Sequence, residues 1–204
     1  LKIGSKLVHG ACGGDPLTGS ISFPIYQSAT FRFRALQDSL GYDYTRCQNP
    51  TIEELERTMA ILEEGTEGFA FSSGMAAVMA AFSLLKSGDH AILSDDIYGG
   101  TYEIALTTLV DNGIQTNFVD LSDLKAFEAA IKENTKMVYI ETPTNPMMKV
   151  ADIAEISKIA KQKGILVVVD NTLLTPYYQK PLTLGADVVI HSGTKYLEGH
   201  NDIS

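Results

Sequence analysis

Cysteine, basic charge and long apolar stretches are all in short supply in this chain, and each shortage excludes something. Cys12 and Cys47 are its 2 cysteines. Without a CxxC pair or a neighbouring His cluster they make neither a zinc set nor a disulfide framework, so the expected compartment is a reducing cytoplasm. His9, His90, His191 and His200 are too dispersed along the chain for a metal site. The 16 basic side chains fall short of the 25 acidic ones, a formal charge of −9 with a pI near 4.8. Such a balance suits neither a nucleic-acid backbone nor an anionic bilayer, and any anionic ligand must be held locally. No apolar run approaches the ~20 residues of a membrane-spanning helix. The start, LKIGSKLVHG, lacks the apolar core and small-residue cleavage site of a secretory signal.

What is present is the composition of an ordinary soluble globular protein: 204 residues, 45% hydrophobic and 20% charged. That length supports one large domain or two small ones. Residues 1–50 scatter Gly10, Gly13, Gly14, Pro16, Gly19 and Pro24 among apolar residues without a sustained period, and read as an extended arm suited to lying on a partner. Order begins at Asn49-Pro50-Thr51, where Thr51 and Glu54 have the spacing of a capping box and Ile52, Leu55, Met59 and Leu62 share a helical face. Beyond Gly65, short apolar runs alternate with helical patterns. Strands are expected at 68–72, 90–94, 115–119, 136–141, 165–170 and 186–191, and helices at 75–86, 100–111, 122–132 and 151–163. MVYIE and ILVVVD are hydrophobic on both pleat faces, as in strands covered by helices above and below. The fold class is α/β, a mostly parallel sheet sandwiched by helices, with residues 51–204 forming the large domain.

In such sheets ligands bind beyond the carboxyl ends of the strands. Ser72-Ser73-Gly74-Met75 opens a helix after one run and could cradle a phosphate on backbone N–H groups, or simply cap the helix. Asp170 ends a strand that offers its carboxylate no neighbour. A protonated pyridine nitrogen is a natural partner; an ordinary turn cap is the alternative. Ser192-Gly193-Thr194-Lys195 brings two hydroxyls and an amine to one tight turn, where a lysine is either a solvated surface group or a nucleophile toward an aldehyde. Tyr98, followed by Gly99 and Gly100, could lay its ring on a planar cofactor or pack in the core. The acidic pairs Glu63-Glu64 and Asp95-Asp96 read as solvated ends or turns, and Met75 and Met79 as packing.

Taken together, Tyr44-Thr45-Arg46 with Asn49-Pro50-Thr51, Ser73-Gly74-Met75-Ala76-Ala77, Asp96-Ile97-Tyr98-Gly99-Gly100-Thr101, Glu141-Thr142-Pro143-Thr144-Asn145-Pro146, Asp170-Asn171-Thr172 and Ser192-Gly193-Thr194-Lys195-Tyr196 resemble the Cys/Met-metabolism pyridoxal-phosphate enzymes. The motifs stand in family order over nearly the whole chain. The resemblance implies fold type I, pyridoxal 5'-phosphate as cofactor, and a trans-sulfuration activity of the cystathionine γ-synthase or β-lyase type. Such an enzyme deprotonates Cα of a sulfur amino acid or homoserine ester, then eliminates or replaces. It further implies that Lys195 forms the Schiff base with the cofactor, that Asp170 keeps the pyridine nitrogen protonated, and that Tyr98 stacks on the ring. Lys195, Tyr98 and Asp170 are thus the expected catalytic residues. Gly74, Met75, Ser192 and Thr194 would contact the phosphate, Tyr44 and Arg46 the phosphate of a neighbouring subunit, and Asn145 the ring hydroxyl or the substrate carboxylate. No metal is expected. The implied partners are a small amino-acid substrate and further copies of the chain, a tetramer built as a dimer of dimers. Methionine γ-lyases usually carry a cysteine where this chain has Gly100, which disfavours that activity. The family continues into a C-terminal domain carrying an arginine for the substrate carboxylate, so a chain stopping at Ser204 reads as truncated. Two rival readings are a catalytically incompetent assembly partner and a nicotinamide-dinucleotide domain. The second expects GxGxxG after the first strand, which FSSGMAAVM does not supply.

Overall fold

The computed structural model describes residues 2–10, 14, 15 and 17–203, so Cys12, Gly13 and Pro16 lie outside the described residues. The chain divides into two compact units, Leu1–Ala70 and Phe71–Ser204. In the first, the stretch expected to be extended begins with a helix, α1 (Ile3–His9). It runs beside α2 (Pro50–Glu63), joined by an ion pair from Lys6 Nζ to Glu64 Oε1 at 3.7 Å. Asn49, not Thr51, caps α2. Pro50 suits the first helical position, which leaves the extended Asn49 to accept the Thr51 N–H at 2.8 Å. The Thr51 hydroxyl is engaged elsewhere, accepting the Tyr26 N–H at 2.9 Å. Glu63, read from sequence as a solvated end, is buried.

Residues 68–72 form no strand. Their backbone is held by α2: the Ala70 N–H donates to Glu56 Oε1 at 2.8 Å, and a Cβ on Gly68 would stand 2.3 Å from the Glu56 carbonyl oxygen. With Gly68 against that helix and Phe69 exposed, the run is committed to α2 instead of a ladder.

The second unit opens with α3 (Gly74–Phe82), whose N-cap Ser73 accepts the Ala76 N–H at 3.1 Å. Then follow β1 (His90–Ser94), α4 (Gly99–Leu106), α5 (Thr108–Asp111), β2 (Gln115–Val119), α6 (Leu124–Ala130), β3 (Thr135–Glu141), α7 (Ile153–Gln162), β4 (Leu166–Asp170), α8 (Thr175–Tyr178), a 3-10 turn at Pro181–Leu184 and β5 (Val188–Ile190). The helix expected over 100–111 breaks at Thr107, where φ −115° and ψ −81° leave the helical region. Asp123 and Asp152 cap α6 and α7 with their carboxylates, which fixes where those helices start.

The five strands pair in parallel in the order β2-β1-β3-β4-β5. Side chains alternate along each strand. Ala91, Leu93, Met137, Tyr139 and Val168 face one core with Val78 and Phe82 of α3, Ala105 of α4 and Leu109 of α5. Ile92, Val138, Ile140, Val167 and Val169 face the other with Phe127 of α6 and Ile156 and Ala160 of α7. Both faces being covered accounts for the nearly unbroken apolar strands.

Candidate functional site

From β1 the chain crosses to β2 on one side, whereas β3, β4 and β5 build out on the other. Neighbouring strands β1 and β3 therefore send their continuations apart, and a crevice opens beyond their carboxyl ends, where open α/β sheets bind ligands. The side chains there close on themselves in a circuit. Tyr98, after β1, donates its N–H to Glu141 Oε2 at 2.8 Å. Glu141 ends β3 in register with Asp170, which ends β4. Asp170 Oδ1 accepts the Thr172 N–H at 3.0 Å, and the Thr172 hydroxyl accepts the Ser192 N–H at 2.9 Å. Ser192 lies against the start of α3, since a Cβ on Gly74 would fall 2.9 Å from Ser192 Cβ. Met75 comes next, and a Cβ on Gly100 would meet both the Met75 sulfur at 2.9 Å and Tyr98 Cε1 at 2.8 Å, completing the loop.

Asn145 joins this circuit through its N–H, which donates to Glu141 Oε1 at 2.9 Å. Lys195 lies on the turn after β5, its N–H 3.3 Å from the Ser192 carbonyl oxygen; the residue is exposed while Ser192 and Thr194 are half-buried. Tyr44 and Arg46 belong to the first unit. Both are exposed, with the Arg46 guanidinium 5.4 Å from the Tyr44 ring centroid and its Nη2 3.4 Å from the Tyr44 hydroxyl.

Burial raises the Glu141 carboxyl to about 7, helped by the nearby charge of Asp170 and opposed by the Tyr98 and Asn145 N–H groups. Tyr139, wholly buried between the strands and stacked on Phe82 at 5.2 Å, donates its hydroxyl to Asp170 Oδ2 at 3.2 Å. Burial and the Asp170 charge hold that phenol well above its ordinary value. Around this floor the loops are clasped by charge. Lys149 Nζ reaches Asp95 Oδ2 at 2.7 Å and Asp120 Oδ2 at 2.9 Å. The Ser122 hydroxyl and then the Lys149 ammonium bring the Asp120 carboxyl down to about 2. Asp96 accepts the Thr144 hydroxyl and the Met147 N–H. The Asp95-Asp96 pair, read as a solvated turn, thus fastens the loops after β1, β2 and β3.

These groups suit a phosphorylated pyridine aldehyde. The first-turn N–H groups of α3 have no acceptor within the helix, and Gly74, lying where a Cβ would strike Ser192, keeps the backbone bare beside the Ser192 hydroxyl. Asp170 offers a carboxylate to a protonated ring nitrogen, Tyr98 a half-exposed ring, and Lys195 a primary amine. Sequence reasoning gave no role to Glu141 or Tyr139, and Thr172 entered it only as part of the turn that Asp170 would cap, a bond the Thr172 N–H makes. Glu141 was detectable by the same signal as Asp170, a carboxylate ending an apolar run; the hydroxyls of Thr172 and Tyr139 carry no such mark.

The family model for Cys/Met metabolism PLP-dependent enzymes matches residues 4–204. The chain is 50% identical over 203 residues to a cystathionine gamma-lyase of Bacillus subtilis (strain 168), covering all of this chain and 54% of that protein. It is 51% identical over 201 residues to a cystathionine beta-lyase of Lactococcus lactis subsp. cremoris (strain MG1363), covering 98% and 53%. Against a cystathionine gamma-synthase of Haemophilus influenzae the identity is 47% over 201 residues, covering 98% of this chain and 54% of that one. The crystal structure of cystathionine gamma-lyase from Lactobacillus plantarum, complexed with L-serine, superimposes with a TM-score of 0.96 at 45% identity over 100% of this chain and 53% of its own. The chain spans about half the length of the curated relatives it matches. A fold type I sheet, a donor-rich cradle at its switch point and a family match over nearly every residue lead to one assignment: the chain belongs to the Cys/Met-metabolism family of pyridoxal-phosphate-dependent enzymes.

Proposed function

We propose that this chain forms the cofactor-binding part of a trans-sulfuration enzyme that makes or cleaves carbon–sulfur bonds in cystathionine, of the cystathionine γ-synthase or β-lyase type. Its substrates are a sulfur amino acid or a homoserine ester. The observation that carries this reading is the closed circuit from Tyr98 through Glu141, Asp170, Thr172, Ser192 and Gly74 back to Gly100. It brings the first-turn amides of α3, the Ser192 hydroxyl, a carboxylate and an aromatic ring to the carboxyl end of the sheet, with Lys195 on the adjoining turn, a set that supports a phosphate cradle. The names of the relatives support the substrate class. Gly100 disfavours methionine γ-lyase chemistry.

Pyridoxal phosphate, when bound, supplies an aldehyde that condenses with amines and a protonated ring that takes up the electron pair left at a substrate's Cα. The amides of Gly74 and Met75 and the hydroxyls of Ser192 and Thr194 would hold the phosphate. Tyr44 and Arg46 serve the phosphate of a neighbouring subunit's site in a homo-oligomer, a dimer of dimers. Asp170 binds the ring nitrogen and keeps its proton in place, a charge pairing strengthened where water is scarce. The Tyr98 ring covers one face of the site, and Asn145 orients the ring hydroxyl or the substrate carboxylate. Lys195 Nζ is the tether in the resting state and then the general base that takes the Cα proton. Chemistry at Cγ needs a second proton moved at Cβ, for which Lys195 and the Tyr98 hydroxyl are the groups at hand.

Replacing Lys195 by Ala in the protein as it naturally occurs should abolish the lysine-linked absorbance at the visible edge and the release of products from cystathionine and from an acylated homoserine. A variant that retains that absorbance would overturn the assignment of Lys195.

A further inference from the structure

Glu141 is a buried carboxylate that the chemistry above does not use. It stands at the switch point of the sheet, and its two oxygens are divided between two loops: Oε2 accepts the N–H of Tyr98, beyond β1, at 2.8 Å, and Oε1 accepts the N–H of Asn145, beyond β3, at 2.9 Å. Its own N–H donates to the buried Ser94 Oγ at 3.1 Å, which fixes its backbone to the end of β1. Across the ladder it pairs in register with Asp170. A single side chain therefore spans the distance between the residue read as stacking on the cofactor ring, the residue read as reaching its hydroxyl, and the strand that carries the ring's nitrogen partner. We propose that Glu141 is a positioning residue: it sets Tyr98 and Asn145 at fixed places relative to Asp170, so that ring stacking, ring hydroxyl and ring nitrogen are addressed together. This rests on the reading of the site as the pyridoxal-phosphate cradle.

A carboxylate suits the task because it accepts at both oxygens, and each N–H bond to a charged acceptor is stronger than a neutral one. The groups that face it are acidic or neutral: Asp170 on β4, Asp96 after β1 and the Tyr139 phenol within β3. Their influence and burial raise Glu141 to about 7, so its grip on the two amides tightens as the pH rises through neutrality.

The test uses the naturally occurring protein and Glu141→Gln, which keeps the shape but presents an NH2 group to one of the two N–H donors. Amide hydrogen exchange at Tyr98 or Asn145 should accelerate about tenfold, the size expected for one charge-assisted bond. At cofactor saturation, under conditions where parent and variant are both fully folded, the visible circular dichroism of bound pyridoxal phosphate should fall in the variant. A role confined to stability would lower melting and leave that dichroism intact. In the unsubstituted protein, protection of both amides, corrected for intrinsic exchange, should be greater at pH 8 than at pH 5.5; this measurement stands even if the variant fails to fold. Unchanged exchange and dichroism in Glu141→Gln, or protection independent of pH, would overturn the proposal alone. If the unsubstituted protein gives no lysine-linked chromophore with pyridoxal phosphate, the reading of the site beneath it fails as well.

Discussion

Gly74 has no room for a side chain, because an added methyl would stand 2.9 Å from Ser192 Cβ and 3.1 Å from its hydroxyl. Its φ lies outside the left-handed region, so the constraint comes from space and not from backbone conformation. Gly74→Ala should therefore force the start of α3 away from the Ser192 turn, costing about 1–3 kcal/mol in chemical denaturation. It should weaken pyridoxal-phosphate binding in parallel, because the same two segments form the proposed cradle. Stability and cofactor affinity equal to the parent's would show that the approach is not as close as described. At this scale the sequence was informative where chemistry leaves a mark on residue type. Asp170 stood out as a carboxylate ending an apolar strand, and Lys195 as an amine behind two hydroxyl residues. Glu141 carries the same mark at the end of MVYIE, but its partners, the Tyr98 and Asn145 amides, lie across the fold and no local pattern encodes them.

Among the elements, α3 and β3 meet where Phe82 stacks on Tyr139, and both side chains are essentially inaccessible. Phe82→Ala should lower the unfolding free energy by about 3–5 kcal/mol through lost burial and a residual cavity. Since the Tyr139 hydroxyl also bonds Asp170, the ring's loosening should reach the floor of the site. Tyr139→Phe would remove only the hydroxyl contact, and a smaller stability loss than that of Phe82→Ala, read by the same denaturation, would separate packing from hydrogen bonding. Strands β1, β3 and β4 were legible because both faces are buried and the apolar runs are bounded by turn residues. The 68–72 run has the same apolar look but not the same surroundings: Glu56 takes its backbone, and periodicity cannot foresee that competition. The break at Thr107 and the cap at Asn49 are likewise decided by local backbone geometry, and α1 by its packing beside α2. Strand order was also beyond reach, since the alternation of elements fits several parallel sheets.

For the molecule as a whole, the net charge of −9 leaves anion binding to a few oriented donors, as in the cradle proposed at the start of α3. The same acidity near the switch point shows in the stability profile. Glu141 ordinarily titrates near 4.5 and in the fold near 7, so the native state binds its proton more tightly than the unfolded chain. The stability this contributes is fully present below about pH 4.5 and is lost as the pH rises through 7. Without cofactor, the stability of the parent relative to Glu141→Gln should fall across that interval, by up to about 1.4 kcal/mol per pH unit, and level off above it. A difference independent of pH in that window would contradict the burial assigned to Glu141. The proposed chemistry depends above all on where a pyridoxal aldehyde attaches. The most direct measurement saturates the naturally occurring protein with pyridoxal phosphate, fixes the lysine linkage with borohydride and maps the labelled peptide by mass spectrometry. The label is predicted on Lys195; a label on Lys149 or Lys180, or one spread over many lysines, would contradict it.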